Sequence, residues 1–282
     1  MSYYIDNNDM SQKDTLSELV KSFEEQTTAQ AAKQTNIVMV RCDGMGFSKW
    51  TKSLKNPFNQ HLKDVMAETA KKVFDRLGAK IAYSASDEIT FVLINSNNLS
   101  QHYGGGRFHK IVSHAAVTAS DAFNKSVSEL LPEKSSNTAT FDARAWEVDS
   151  IEKAALCLLA RQASCIRNSV FMLARDNYSH NSIQGLGVRE LKSKMANDNI
   201  FWDDLPDWAK RGFIIGKKKE IMKLSEDEIK MLPEKHLLRR NPNALIIRNE
   251  ISELENPITM DINSNISLLS ASIHNDRSNY VI

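Results

Sequence analysis

The sequence predicts an α+β fold of the ferredoxin-like kind, an antiparallel or mixed sheet with helices packed on one face. Three observations lead there. The apolar and alternating segments fall in the order helix, strand, helix, strand–strand, helix, strand, helix. The first strand, Ile37-Val38-Met39-Val40, is apolar and β-branched on both sides, the pattern of a strand covered on both faces. The second and third strands are separated only by Ser86-Asp87-Glu88, which forces a tight hairpin.

In chain order, residues 1–12 read as a flexible N-terminus. Leu16, Leu19, Val20 and Phe23 recur at three-to-four spacing, so Lys13–Glu25 reads as an amphipathic helix. The first strand, Asn36–Cys42, runs into Asp43-Gly44-Met45-Gly46. A short basic stretch, Phe47–Leu54, ends at the Asn56-Pro57 step, where the residue before proline is pushed out of the helical region. Leu62, Val65, Met66, Thr69, Val73 and Leu77 mark a long helix that Gly78 closes as a left-handed cap. Strands follow at Lys80–Ala85 and Ile89–Ile94, then a polar loop ending in Gly104-Gly105-Gly106. A second long helix begins near Phe108, and Ala139–Val148 alternates Phe141/Ala143/Ala145 against Asp142/Arg144/Trp146 as a strand does. Ile151–Ala174 is a third helix.

Beyond it the pattern thins to a short helix around Val188–Met195, a strand at Gly212–Ile215, a small helix at Ser225–Met231, and short strands at Ala244–Arg248 and Ile258–Ile262. The last fifteen residues read as disordered. The domain reading is therefore a catalytic domain over 13–216 and a C-terminal extension over 217–282.

Composition bounds the partners. Of 282 residues, 41% are hydrophobic and 25% charged, as in an ordinary soluble globular protein, and the formal net charge is +1. Any nucleic acid must then be met by a local basic face rather than by the overall field. Three cysteines (Cys42, Cys157, Cys165) without a CxxC pair do not make a disulfide framework and suit a reducing compartment. Met1–Met10 is polar, unlike a signal peptide, and no run approaches the ~20 apolar residues of a membrane helix. The expectation is a soluble cytoplasmic protein with no membrane partner.

The chemistry centres on two aspartates. An Asp-Gly step or an aspartate in a hairpin is ordinarily a turn device. Here Asp43 ends a buried strand and Asp87 sits in the turn of a neighbouring hairpin, so both can face one space. Two carboxylates without a basic partner repel unless they share hard cations, and Mg2+ takes one or two protein carboxylates, with phosphates and water completing its shell. Two such ions can activate an attacking hydroxyl and stabilise a leaving phosphate. The Gly44 carbonyl would add a ligand, the amides of Gly44–Ser48 would form an anion nest, and Arg41, on the face of Asp43, would clamp a triphosphate.

At these residues the chain resembles the tRNA-His guanylyltransferase family, and within it the like-protein branch, 3′-to-5′ polymerases that repair tRNA 5′ ends. The resemblance rests on Val40-Arg41-Cys42-Asp43-Gly44-Met45-Gly46-Phe47-Ser48-Lys49-Trp50-Thr51-Lys52, Ser86-Asp87-Glu88, Phe141-Asp142-Ala143-Arg144, Arg161-Gln162, Arg167-Asn168-Ser169 and Trp202–Gly212, in order over most of Leu16–Ile215. It implies a polymerase-like palm and a tetramer. It implies metal ligands at Asp43, the Gly44 carbonyl and Asp87, with two Mg2+ ions. It also implies a nucleotide loop over Asp43, Gly44, Met45, Gly46, Phe47 and Ser48, faced by Ser86 and Asp87.

GTP or another NTP, and ATP, are the implied substrates, with tRNA or a tRNA-like RNA as partner. The chain departs from the family pattern at Met45, where arginine is usual, at Ala85 in place of glutamine, and at Ser164 in place of aspartate. Ile166-Arg167-Asn168-Ser169 replaces the His-Ile-Asn-Asn motif, which favours the like-protein branch over dedicated tRNA-His guanylylation.

Further candidates for RNA or phosphate contact are Arg107 and Lys110 beside the triple glycine, Arg167, Asn168 and Ser169, and the basic run Lys217–Lys219. Asp142 with Arg144, His114, His180 and Cys165 read as structural. Two other functions fit the same residues: a nucleotide- or RNA-binding module that has lost polymerisation, and a palm that makes a small nucleotide product without RNA.

Overall fold

A computed structural model of the chain describes residues 18, 21, 25, 29–52, 54, 57–95, 101–241, 243, 245–255 and 261–274. The expected N-terminal tail lies outside them. Of the helix expected over Lys13–Glu25, Glu18, Lys21 and Glu25 are described, and they are helical.

Strand β1 (Ile37–Gly44) leads into a one-turn helix α1 (Phe47–Thr51) and then α2 (Gln60–Leu77). Asn59 caps α2, its side-chain oxygen accepting from the Leu62 amide at 3.0 Å, and Gly78 closes it at φ 64°. The hairpin of β2 (Ile81–Ala85) and β3 (Glu88–Leu93) follows, then α3 (Phe108–Leu130) and β4 (Phe141–Val148). This βαββαβ unit has the order β4-β1-β3-β2, with every neighbouring pair antiparallel. It is the ferredoxin-like arrangement expected from the element order.

Next come α4 (Ile151–Asn177), α5 (His180–Ile183), α6 (Val188–Asn197) and α7 (Asp207–Arg211). Strand β5 (Phe213–Lys223) joins the sheet beside β2. It is followed by α8 (Glu226–Met231), α9 (Leu237–Arg240), β6 (Leu245–Glu253) on the outer side of β5, and α10 (Ile262–His274).

Period-two alternation sends the side chains of β1 to two cores. Val38, Val40 and Cys42 pack with Val65, Val73 and Phe74 of α2 and Ile111, Ala119 and Phe123 of α3. Ile37 and Met39 pack with Ala154, Ala155 and Leu158 of α4 and Leu269 of α10. Helices therefore cover both faces of the sheet, not one, as the two-sided apolar pattern of β1 requires.

The C-terminal part differs most from expectation. β5 does not stop at Ile215 but runs through Lys217–Lys219, because β6 supplies a partner from Ile215↔Glu253 to Lys223↔Leu245. The boundary expected at 216/217 falls inside this strand. β6 likewise extends to Glu253 rather than ending at Arg248. The segment expected to be disordered is helical over its described part, since α10 reaches His274. Of the strand expected at Ile258–Ile262, residues 258–260 lie outside the described residues and Ile262 begins α10.

Candidate active site

The sheet brings the charged residues together in rows. Directly opposite residues of antiparallel strands share a face, and the registers Asp43↔Asp142 and Asp43↔Glu88 align three carboxylates across β4, β1 and β3. One row below, Arg41 lies between Arg144 and Thr90. Asp87 stands beside the first row in the β2–β3 turn. Ser86, which carries a positive φ of 56° in that turn, makes the tight connection without glycine. The turn is fastened to β1 by the Gly44 amide, which donates to the Asp87 carbonyl at 3.1 Å.

Gly44 is small for a reason of packing. A β-carbon there would lie 2.5 Å from Cδ2 of Phe47 and 3.2 Å from Cβ of Asp87. The Phe47 ring is itself buried, stacked on Trp50 and edge-on to Phe123. Phe47 therefore gives its side chain to the core and only its backbone to the loop.

The expected anion nest is narrower than Gly44–Ser48. The amides of Gly44 and Met45 are bonded to the carbonyls of Asp87 and Thr140, at 3.1 and 2.8 Å. The amides of Phe47 and Ser48 open α1, and first-turn amides have no acceptor within their own helix.

Electrostatics mark the same place. Burial holds the Asp87 carboxyl above the usual carboxylate range; its own backbone amide and the Ser86 hydroxyl pull it down, and the Asp43 charge pushes it up. Burial also raises Glu88, against the pull of Arg161 and Arg41, with Asp43 and Asp87 adding to the rise. Beneath them, burial and the charges of Asp142 and Asp43 push the Cys42 thiol up to about 12, so this cysteine is an inert core residue.

Neither Asp43 nor Asp87 has an ion-pair partner among the described residues, although they feel each other's charge. No three His, Cys, Asp or Glu side chains form a metal cage among the described residues. Two facing carboxylates are nevertheless the number Mg2+ takes from protein when phosphates and water complete its shell, so the donor set fits that ion.

Sequence reasoning had left two residues without a role. Glu88 receives Nη1 of Arg161 at 3.2 Å and lies 3.7 Å from Nε of Arg41, both at the same carboxylate oxygen. That Arg41 nitrogen is buried and has no hydrogen-bond partner. The alternation that placed Arg41 on the face of Asp43 would have placed Glu88 there too, once the hairpin register was known. Arg161 comes from α4, far along the chain, and no local pattern announces it.

Other candidate residues do not join this cluster. Arg107 and Lys110 open α3 where Ala31 bridges to Arg107, at the Asn36 end of β1. Asp43 lies toward the other end of that strand, about 20 Å along it from Ile37. On α4, Arg167 and Asn168 are exposed, so Arg167 needs no buried partner; its guanidinium lies over the Phe171 ring. Ser169 is buried, accepting from the Trp202 indole at 2.9 Å and donating to the Ile166 carbonyl at 2.8 Å, which makes it a structural residue. Lys217–Lys219 lie on β5, with Lys218 and Lys219 exposed.

A family model described as tRNA-His guanylyltransferase matches residues 17–149. A bacterial tRNA-His guanylyltransferase-like protein solved in complex with ATP is 33% identical, with a TM-score of 0.68, over 72% of this chain and 89% of that one. The chain belongs to the tRNA-His guanylyltransferase family. A bacterial tRNA-His guanylyltransferase-like protein in complex with GTP aligns over 92% of this chain and 99% of its own, at 26% identity and a TM-score of 0.69. An uncharacterised protein of Acanthamoeba polyphaga mimivirus is 28% identical over 67% of this chain and 72% of its own length. The Saccharomyces cerevisiae tRNA-His guanylyltransferase, at 19% identity and a TM-score of 0.61 over 76% of this chain and 98% of its own, shares the fold.

As a member of this family the chain is a nucleotidyltransferase, built on the palm-type α+β fold. Its departures from the family pattern now have surroundings. Met45 is 58% exposed at the lip of the loop, so its side chain meets solvent. Ser164 accepts from Nη2 of Arg161 at 3.0 Å, helping to aim the guanidinium whose other end meets Glu88.

Proposed function

We propose that this nucleotidyltransferase adds nucleotides in the 3′-to-5′ direction to the 5′ end of tRNA or a tRNA-like RNA, in a Mg2+-dependent reaction. The observation that carries the reading is the pair Asp43 and Asp87, held side by side without a counter-charge while Arg41 and Arg161 stand one step away. Asp43, the Gly44 carbonyl and Asp87 would hold two Mg2+ ions. Bound metal activates an attacking hydroxyl and stabilises the leaving phosphate.

The chain's own residues orient the reactants. The buried Nε of Arg41, which lies 3.7 Å from Glu88 but makes no hydrogen bond, would donate to a phosphate oxygen, and the opening amides of α1 would add further donors. GTP and ATP are the proposed nucleotides, since bacterial relatives are solved with each. The 3′-hydroxyl of the incoming nucleotide attacks the 5′ phosphorus of the RNA. Pyrophosphate leaves when that end is a triphosphate, and AMP leaves when ATP has first adenylylated a monophosphate.

Arg167 and Asn168, exposed on α4, are proposed to touch RNA near the reacting end. Arg107, Lys110 and Lys217–Lys219 would meet its phosphates farther away. The replacement of the His-Ile-Asn-Asn motif favours general 5′-end repair over a dedicated addition of guanosine to tRNA-His. A cytoplasmic homotetramer is the proposed setting, and light scattering on the purified chain would test the assembly.

Asp43→Ala and Asp87→Ala test the site. Each should lower the rate of 5′ extension by more than about 100-fold, beyond the usual loss from an outer-shell change at a metal site. Extension that survives both substitutions would contradict the assignment.

A further inference from the structure

The C-terminal helix is tied to the active site through one buried pair. Gln162 on α4 is 1% exposed and Asn265 on α10 is 3% exposed. Their amides are reciprocal: Nε2 of Gln162 donates to Oδ1 of Asn265 at 3.1 Å, and Nδ2 of Asn265 donates to Oε1 of Gln162 at 3.1 Å. Around them the contact between the two helices is apolar, with Leu269 fully buried in the core that also holds Leu158, Ile262 and Ile266.

An apolar contact alone would let one helix roll on the other at small cost, because dispersion and burial have no direction. Two buried amides are different. Each loses its hydration on burial and must keep its partner, in the one orientation in which donor meets acceptor. A directional pair inside an apolar contact therefore fixes how α4 and α10 lie against each other.

That arrangement matters one residue away. Arg161 precedes Gln162, so the two side chains leave α4 about 100° apart. With Gln162 locked to α10, Arg161 is aimed at the sheet, where its guanidinium meets Glu88 at 3.2 Å. Glu88 is the residue opposite Asp43 and also the neighbour of Arg41. We infer that Asn265 is a positioning residue: through Gln162 it fixes the rotation of α4, and so holds Arg161 and Glu88 in place beside Asp43 and Asp87. The C-terminal helix is thereby part of the machinery that orders the site. The inference rests on the nucleotidyltransferase reading above for its kinetic consequences, though not for its structural one.

Two measurements on the full chain test it. In the first, Asn265→Ala, Arg161→Ala and the double variant are compared in 5′ extension. Asn265→Ala should lower kcat by about 10-fold, the lower end of the range for outer-shell supports. The double variant should be no slower than Arg161→Ala alone, because both changes remove one function. Losses that multiply would overturn the inference, as they would show α10 acting independently of Arg161. Exchanging the pair, Gln162→Asn with Asn265→Gln, keeps donor and acceptor on both sides and should restore most of the rate.

In the second measurement, hydrogen exchange of Asn265→Ala is compared with wild type. Protection should fall in α4 around residues 158–166 as well as in α10. A loss confined to residues 261–274 would overturn the inference. Absence of extension by the wild-type chain would count against the proposed function, while the exchange result would still decide the role of Asn265.

Discussion

A β-carbon at Gly44 would stand 2.5 Å from the Phe47 ring and 3.2 Å from Cβ of Asp87, so neither the ring nor the hairpin can stay where it is if one is added. Gly44→Ala is expected to destabilise the protein by about 1–3 kcal/mol, the usual cost of overpacking, and to slow extension by displacing Asp87. Chemical denaturation beside the extension assay checks this; an unchanged midpoint with full activity would contradict it. At this scale much was legible beforehand. Asp43 and Asp87 could be paired from sequence because each ends or turns a strand, and strand ends in one hairpin neighbourhood converge. Glu88 and Arg161 could not. Their contact joins β3 to α4 across the chain, and in sequence each stands in a motif that names no partner for it.

Among the elements, α4 shows why a motif does not assign roles to all its residues. Arg167, Asn168 and Ser169 are consecutive, yet a helix turns them to different surroundings, two outward and one inward. The hydroxyl of Ser169 satisfies the buried Trp202 indole. Ser169→Ala should therefore cost about 1–3 kcal/mol of stability, the price of a stranded buried donor, while the folded enzyme keeps a kcat/KM close to wild type. A large fall in kcat/KM without a fall in Tm would return Ser169 to the substrate site.

Element lengths in the core were readable because apolar periodicity runs through them. From sequence β5 reads short because Lys217–Lys219 breaks its apolar pattern, and the strand continues only because β6 pairs with it. The helical pattern of α10 over Leu268–His274 is hidden in sequence because its apolar side is interleaved with Ser and Asn; its partner surface on α4 is visible only in three dimensions.

On the scale of the whole molecule, the sheet is a ferredoxin-like unit extended by two strands and covered on both faces. The fold class followed from the order of elements. The second helical layer was implicit in β1, whose apolar residues face both ways and leave neither face for water. The C-terminal part supplies β6 beyond β5 and α10 over the second face, so what reads in sequence as an appendage completes the sheet and braces α4.

All of these devices converge on one end of β1, and the central claim concerns the reaction there. It is tested by incubating tRNA shortened at its 5′ end and labelled at its 3′ end with NTPs and Mg2+, then resolving products at single-nucleotide resolution. The account predicts a ladder that lengthens at the 5′ end, requires Mg2+, and disappears with Asp43→Ala and with Asp87→Ala. A 5′ end that stays unchanged in the presence of Mg2+ and all four NTPs would contradict it.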